Sequence, residues 1–150
     1  MRGALIALFI CLGAETAVAC TLETVRLRGD WGQARFTVEI ADDPDEQARG
    51  LMFRETLPRS SGMLFVFPRP RRAAFWMRNT LIELDMLFIA PNGTVQHIHH
   101  RAQPLDETSI DGGGGVLAVL EINGGLAKQL GIEVGSEIQH LLLPNSVWPC

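Results

Sequence analysis

Three groups of side chains in this 150-residue chain have types and spacing suited to chemistry. The first is Arg49, Arg54, Asn79, Thr80, Asp85 and Glu121. These polar residues stand singly among Met52, Trp76, Met77 and other apolar residues, in RGLMFR (Arg49–Arg54), AFWMRNT (Ala74–Thr80), LDMLFIA (Leu84–Ala90) and VLEINGG (Val119–Gly125). A polar group in such a run is either exposed or buried with a partner, because burial without a hydrogen bond costs several kcal/mol. Two guanidinium groups beside an apolar pocket would hold a carboxylate or phosphate through paired hydrogen bonds. Equally open is a structural role, in which Arg49 or Arg54 pairs with Asp85 or Glu121 and holds a helix against a sheet. An enzyme would use Asp85 or Glu121 as acid or base beside Arg49. Spacing along the chain gives no separation in space, so no reaction follows from it.

The second group is His97, His99 and His100 with Met52, Met63, Met77 and Met86. Imidazoles and thioethers suit copper. Alternation along a strand, however, puts His97 and His99 on one face and His100 on the other, and methionine in apolar runs is usually packing material. Solvated strand-end histidines are the default, and no metal or other cofactor is expected. The third group would be a nucleophile. Ser60, Ser61, Ser109 and Ser136 stand in ordinary loop settings without a nucleophile-elbow pattern.

The elements that must position these residues are mostly strands. Leu22–Arg28 and Arg35–Ile40 alternate around the turn residues Gly29–Gly32 and predict a hairpin. Asp43 as N-cap, Pro44 in the first turn and Glu46 three residues after the cap predict a short helix, with Ala48, Leu51 and Met52 on one face. Gly50 either ends that helix or lets another segment come close. Gly62–Phe67 and Ala73–Met77 read as strands around a Pro68–Arg72 loop rich in arginine, which is either a solvated connection or a patch for an anionic surface. Leu84–Ala90 and Thr94–His99 form a hairpin through Pro91-Asn92-Gly93. After a polar, glycine-ending loop over Arg101–Gly115 come a strand at Val116–Ile122, a helix at Gly124–Leu130 capped by Asn123, and a last strand at Glu137–Leu143. The expected fold is mainly β (α+β): an antiparallel β-barrel or sandwich of about seven or eight short strands with two short helices packed on it. Phe36, Val38, Leu51, Met63, Phe65, Trp76, Leu87, Ile89, Val119 and Ile122 are the expected core.

Residues 1–19 carry a positive start at Arg2, an apolar run at Ala4–Leu12 and the small residues Ala17-Val18-Ala19, the pattern of a secretory signal peptide. Residues 20–150 then form one compact β-rich domain, long enough for a single core. The apolar run is shorter than the ~20 residues a transmembrane helix needs. The net charge of −4 and the lack of a basic run argue against nucleic acid. In an exported, periplasmic chain the two remaining cysteines, Cys20 and Cys150, are expected to pair as a disulfide. The alternative makes Cys20 a lipid anchor, although Ala17 stands where a lipoprotein signal usually has a bulky aliphatic residue.

The ordered motifs RGLMFR, GMLFVF, FWMRNT, LDMLFIA and VLEINGG resemble a bacterial and archaeal family, domain of unknown function 192. The resemblance runs from about Phe36 to Leu141, with Glu83 standing where proline is frequent. It implies a compact, mostly β domain and no established activity, substrate or cofactor. The expected role is a monomeric, extracytoplasmic, non-catalytic binding module for a small anionic ligand or a protein partner. Its site would draw on Arg49, Met52, Arg54, Trp76, Met77, Asn79, Thr80, Asp85 and Glu121. Arg49, Trp76, Asn79 and Asp85 are expected to meet at one mouth of the β core, Trp76 as an apolar wall and Arg49 as the charge.

Overall fold

A computed structural model describes residues 20–150; the expected signal peptide lies outside the described residues. The strands are β1 (Thr24–Gly29), β2 (Gly32–Ala41), β3 (Ser61–Arg71), β4 (Ala74–Phe75), β5 (Leu84–Ile89), β6 (Val95–Ala102), β7 (Ile110–Asp111), β8 (Val116–Asn123) and β9 (Glu137–Gln139). The helices are α1 (Pro44–Arg49) and α2 (Leu126–Leu130). Seven strands form one sheet in the order β6-β5-β8-β3-β2-β1-β9, and β4 pairs with β7 in a separate ribbon. The fold is thus mixed α+β. The sheet is an open half-barrel, neither a closed barrel nor a sandwich. Its two edges meet only locally, around the bridge of Thr94 to Glu137, where Val95 N donates to Ser136 O, Gly135 N to Val95 O and Ile138 N to Gly93 O.

Not every pair is antiparallel, as the hairpin pattern predicts. β2 and β3 run parallel, with Val38 opposite Gly62 and Ile40 opposite Leu64. Parallel neighbours need a crossover, and α1 with the loop after it supplies one. The expected Pro68–Arg72 loop is instead the distal part of β3, where the pairing with β8 jumps from Val66–Ala118 to Arg71–Val116. Pro68 and Pro70 fall in this irregularity, since neither has an N–H to give to the ladder.

Strands β3, β8 and β5 occupy the middle of the sheet and are buried on both faces, which explains their near-continuous apolar runs. One face carries Val25, Phe36, Val38, Leu64, Leu87 and Ile122 and is covered by Leu126 and Ala127 of α2. The other carries Met63, Phe65, Phe67, Met86, Phe88 and Val119 and is covered by Leu51, Ala73 and Met77. The expected core residues are buried except Trp76, which is 47% exposed. Trp76 lies just beyond the two-residue strand β4, at the surface, with the Arg78 guanidinium 5.4 Å from its ring centre.

The caps separate local from long-range signals. Asp43 accepts from Glu46 N at 2.9 Å and starts α1 as its sequence predicts. Asn123 does not cap α2. Its amide donates to Leu57 O and Pro58 O, and the N-cap is Gly125 at φ 79°. The helix N–H groups are taken by Asp85, which reaches across from β5: Gly125 N and Ala127 N each donate to its carboxylate at 2.8 Å, and so does Arg101 N. A Cβ on Gly125 would sit 2.6 Å from the Arg101 guanidinium, in a left-handed conformation that already disfavours other residues.

Cys20 and Cys150 form a disulfide with their Cα atoms 5.9 Å apart. A sulfur so used is not free for acylation. The tail before Cys150 is held by the Gln139 side chain donating to Pro149 O, and by Trp148 lying under the guanidinium groups of Arg26 and Arg28.

Three outcomes are expected. Reduction, or the double Cys20→Ser/Cys150→Ser variant, lowers the melting temperature by roughly 10 °C or more, since closing a loop of this length contributes ~2–5 kcal/mol. Peptide mapping without reductant shows the linked Cys20 and Cys150 peptides. Asp85→Ala costs on the order of 3–5 kcal/mol in urea unfolding, because it strands two buried N–H groups and a partly buried third, while Asp85→Asn, which keeps acceptor oxygen, costs less.

Candidate functional site

Alternation along the central strands sorts the polar candidates before any side chain is considered. On β3, Met63, Phe65 and Phe67 share a face; on β8, Val119 and Glu121 share it; on β5, Met86 and Phe88 do. Asp85, one residue before Met86, points to the opposite face with Leu87. Asp85 and Glu121 are therefore on opposite sides of the sheet. They cannot act on one substrate, and Asp85 does not join Arg49 and Trp76 at one mouth. Its lone pairs are committed to backbone N–H groups, and His100 Nδ1 lies 3.9 Å away.

The strand registers place five residues in a row across the other face: Glu39, Met63, Glu121, Met86 and His99. Glu121 thus has a methionine on either side. Over this face passes the turn that ends α1. Gly50 takes φ 49°, and a Cβ there would lie 3.1 Å from Phe65 Cζ, so glycine lets the chain both turn and lie flat on the ring. Leu51 follows into the core and Met52 lies half-buried beside it. Opposite, the segment around β4 presents Phe75, whose ring meets those of Phe65 and Phe88 edge to face at 5.0 and 6.0 Å.

Between these two segments lies a cavity of about 370 Å³. Phe65, Phe67, Phe75, Trp76, Leu51 and Met52 give it apolar walls. Arg49 and Arg71 line it as well, and neither forms an ion pair among the described residues; those pairs use Arg28, Arg54, Arg72, Arg78 and Arg101. Arg71 lies 5.0 Å over the Phe67 ring and donates only weakly, to Arg72 O at 3.4 Å. Glu121 also lines the cavity and is 4% exposed. Among the described residues its carboxyl has no hydrogen-bond partner, and burial alone pushes its pKa from 4.5 to about 8. Every sealed side-chain polar atom among the described residues has a partner, so the Glu121 oxygens are open to the cavity rather than shut inside the protein.

The other candidates fall around it. Thr80 lines the cavity, and its hydroxyl donates to Arg78 O at 3.2 Å, leaving its oxygen free only to accept. Asn79, at φ 53°, stands behind Met52: its amide approaches Met52 Sδ at 3.9 Å, and its carbonyl accepts from Phe53 N at 2.8 Å. Met77 is buried core. Arg54 is outside this cavity, in a two-pronged pair with Glu39 at 2.8 and 2.6 Å that holds its pKa above the usual range. The sequence reading missed Arg71, Phe65, Phe67 and Phe75 as cavity residues. The alternation of Phe65 with Phe67, and the arginines after them, were the available signal.

The histidines do not assemble. His97 stacks on Phe88 at 5.5 Å, and His99 has its pKa lowered by burial and by His97 and His100. Among the described residues no three His, Cys, Asp or Glu side chains stand close enough to hold a metal ion. Met63, Met77 and Met86 are buried packing.

Glu121 gives stability a pH dependence of determined sign. Its proton leaves the unfolded chain near 4.5 but stays on the folded chain to about 8. In that window the folded state holds the extra proton, so stability falls as pH rises. The whole effect is on the order of 5 kcal/mol. Glu121→Gln matches the parent near the acid end of the window and is the more stable protein above it. Urea unfolding of both proteins across the range checks this.

The chain is 42% identical to a protein of unknown function from Novosphingobium aromaticivorans, with a TM-score of 0.77 over 84% of this chain and 98% of that one. It is also 42% identical to a protein from Sinorhizobium meliloti named as a candidate transcription regulator, with a TM-score of 0.76 over 81% of this chain and 95% of that one. No curated protein matches it. The family DUF192, described as an uncharacterized ACR, matches residues 25–140. With the motifs around Arg49, Phe75, Asp85 and Glu121 inside that span, the chain belongs to the DUF192 family.

Proposed function

We propose that the domain is an extracytoplasmic, non-catalytic binding module whose cavity takes a small anionic ligand with an apolar body. The observation that carries this is the pair of guanidinium groups, Arg49 and Arg71, without acidic partners among the described residues at a cavity walled by aromatic rings. Binding sites of this kind combine apolar walls with a few placed polar groups, and about 370 Å³ suits a molecule of metabolite size. A carboxylate or similar anion would pair with the arginines while its apolar part lies among Phe65, Phe75 and Trp76. Export in this reading rests on the signal-like residues 1–19 and is supported by the Cys20–Cys150 bridge, which belongs to an oxidising compartment. An acid–base enzyme is the weaker reading, because among the described residues Glu121 is the one carboxyl that lines the cavity and Asp85 lies on the other side of the sheet.

A protein partner is the second reading. Phe53 and Leu105 are large, exposed and held at positive φ, and their N–H groups donate to Asn79 O and Thr80 O beside the cavity. Such backbone strain is kept where surrounding structure enforces it.

A thermal-shift and NMR screen with aromatic and aliphatic carboxylates tests the first reading. Binders are expected to raise the melting temperature and to shift resonances of Phe75 and Trp76. Arg49→Lys is expected to weaken them at least tenfold with the unliganded melting temperature nearly unchanged, since lysine cannot make the paired contact. Unchanged affinity in Arg49→Lys and Arg71→Lys would remove the arginines from the site.

A further inference from the structure

The cavity has two chemically different ends. Arg49 and Arg71 lie at exposed positions, whereas Glu121 is buried between Met63 and Met86. A carboxyl so placed, open to a cavity and bonded to no described residue, is a polar group without a protein partner. Native proteins satisfy nearly all such groups, and each exception calls for a physical explanation, such as a bound partner that completes the bonding.

Resting on the anion-binding reading above, we propose that the ligand's inner end is an uncharged oxygen function, a carbonyl or hydroxyl, accepting a hydrogen bond from the protonated Glu121 carboxyl. The ligand class is then an apolar acid with a neutral oxygen group at the end opposite its anion.

The surroundings favour this over an ammonium group at the inner end. An ammonium would require Glu121 to ionise between two thioethers and several aromatic rings, and a buried ion pair recovers its desolvation cost only with additional hydrogen bonds. The nearby Thr80 hydroxyl is committed to Arg78 O, and the Gln47 amide nitrogen to Ala41 O and Val66 O. Neither donates to stabilise a charged carboxylate. The other charges lining the cavity are Arg49 and Arg71, both cationic, which would repel an ammonium. A purely apolar inner end would leave the Glu121 hydroxyl unsatisfied under the ligand.

Ionisation of Glu121 would abolish the donor, so binding should weaken as pH rises through the carboxyl's range, about 8. Other groups on the same face do not confuse that window. From β3 and β5 the immediate neighbours are Met63 and Met86, which do not titrate. Beyond them, Glu39 on β2 is paired with Arg54, His99 on β6 has its pKa lowered by burial, and His97 on β6 stacks on Phe88.

Three benzoates of nearly equal size, added to the disulfide-bonded 20–150 protein and followed by NMR titration, test the proposal. 4-Acetylbenzoate carries the acceptor, 4-isopropylbenzoate is apolar at that end, and 4-(aminomethyl)benzoate is cationic. At about pH 7 the acetyl compound is expected to bind at least fivefold more tightly than the other two. Its affinity should fall about tenfold by about pH 9, following the protonated fraction of Glu121. Glu121→Gln, which keeps a donor, should retain the acetyl preference and lose the pH dependence; Glu121→Leu should lose the preference. Equal binding of all three with Arg49 still required, or tightest binding of the aminomethyl compound, overturns this inference and leaves the anion site standing. Failure of all three to bind removes both.

Discussion

The Asp85 carboxylate, fully buried and receiving three backbone N–H groups at 2.8 Å, is the interaction on which the described structure most depends. A buried ionised carboxylate is affordable only when its oxygens are fully engaged. The groups engaging Asp85 come from two places distant in sequence, the end of β6 at Arg101 and the start of α2 at Gly125 and Ala127. One side chain on β5 therefore fixes where β6 ends and where α2 begins, and α2 in turn covers one face of the sheet with Leu126 and Ala127. The left-handed Arg101 and Gly125 are the backbone's accommodation to that carboxylate.

Alternation in β5 and β8 then decides what the remaining polar residues can do. Because successive side chains point to opposite faces, the structural carboxylate Asp85 and the cavity carboxyl Glu121 are separated by the sheet itself. One is satisfied by backbone and closed off; the other is unsatisfied and open. A buried carboxyl held neutral at a cavity wall runs against stability, and such groups mark candidate sites with a physical reason for the suspicion.

The cavity depends in turn on a crossover. The parallel pairing of β2 with β3 requires the chain to travel back along the sheet, and α1 with its terminal turn makes that journey across the Phe65 face. Gly50 brings the turn within contact of Phe65, Leu51 anchors it, and Arg49 is left at the rim. Topology, more than any one contact, puts an arginine from a helix above a glutamate from a strand some seventy residues later in the chain.

Much of this was legible in the residues alone. The α1 cap at Asp43, the Asn92-Gly93 hairpin and the apolar central strands rest on local preference, and the pairing of Cys20 with Cys150 on the cysteine count, which left a lipid-anchored Cys20 as the alternative. Of the nine residues expected at a site, Arg49, Met52, Trp76, Thr80 and Glu121 line one cavity, and the polar ones among the nine stood out because polar residues in apolar runs must be exposed or partnered. Only the tertiary structure decided which. Arg54 went to Glu39 and Asp85 to the backbone of α2, since partners distant in sequence are set by strand register and not by spacing. Trp76 stayed at the surface while its neighbours Phe75 and Met77 turn toward the core. The α2 cap was misassigned to Asn123 because the true capping carboxylate lies about forty residues away, on another strand. The sheet stayed open for a similar reason: alternation specifies which face of a strand is buried, but it carries no information about whether the two edge strands meet along their length.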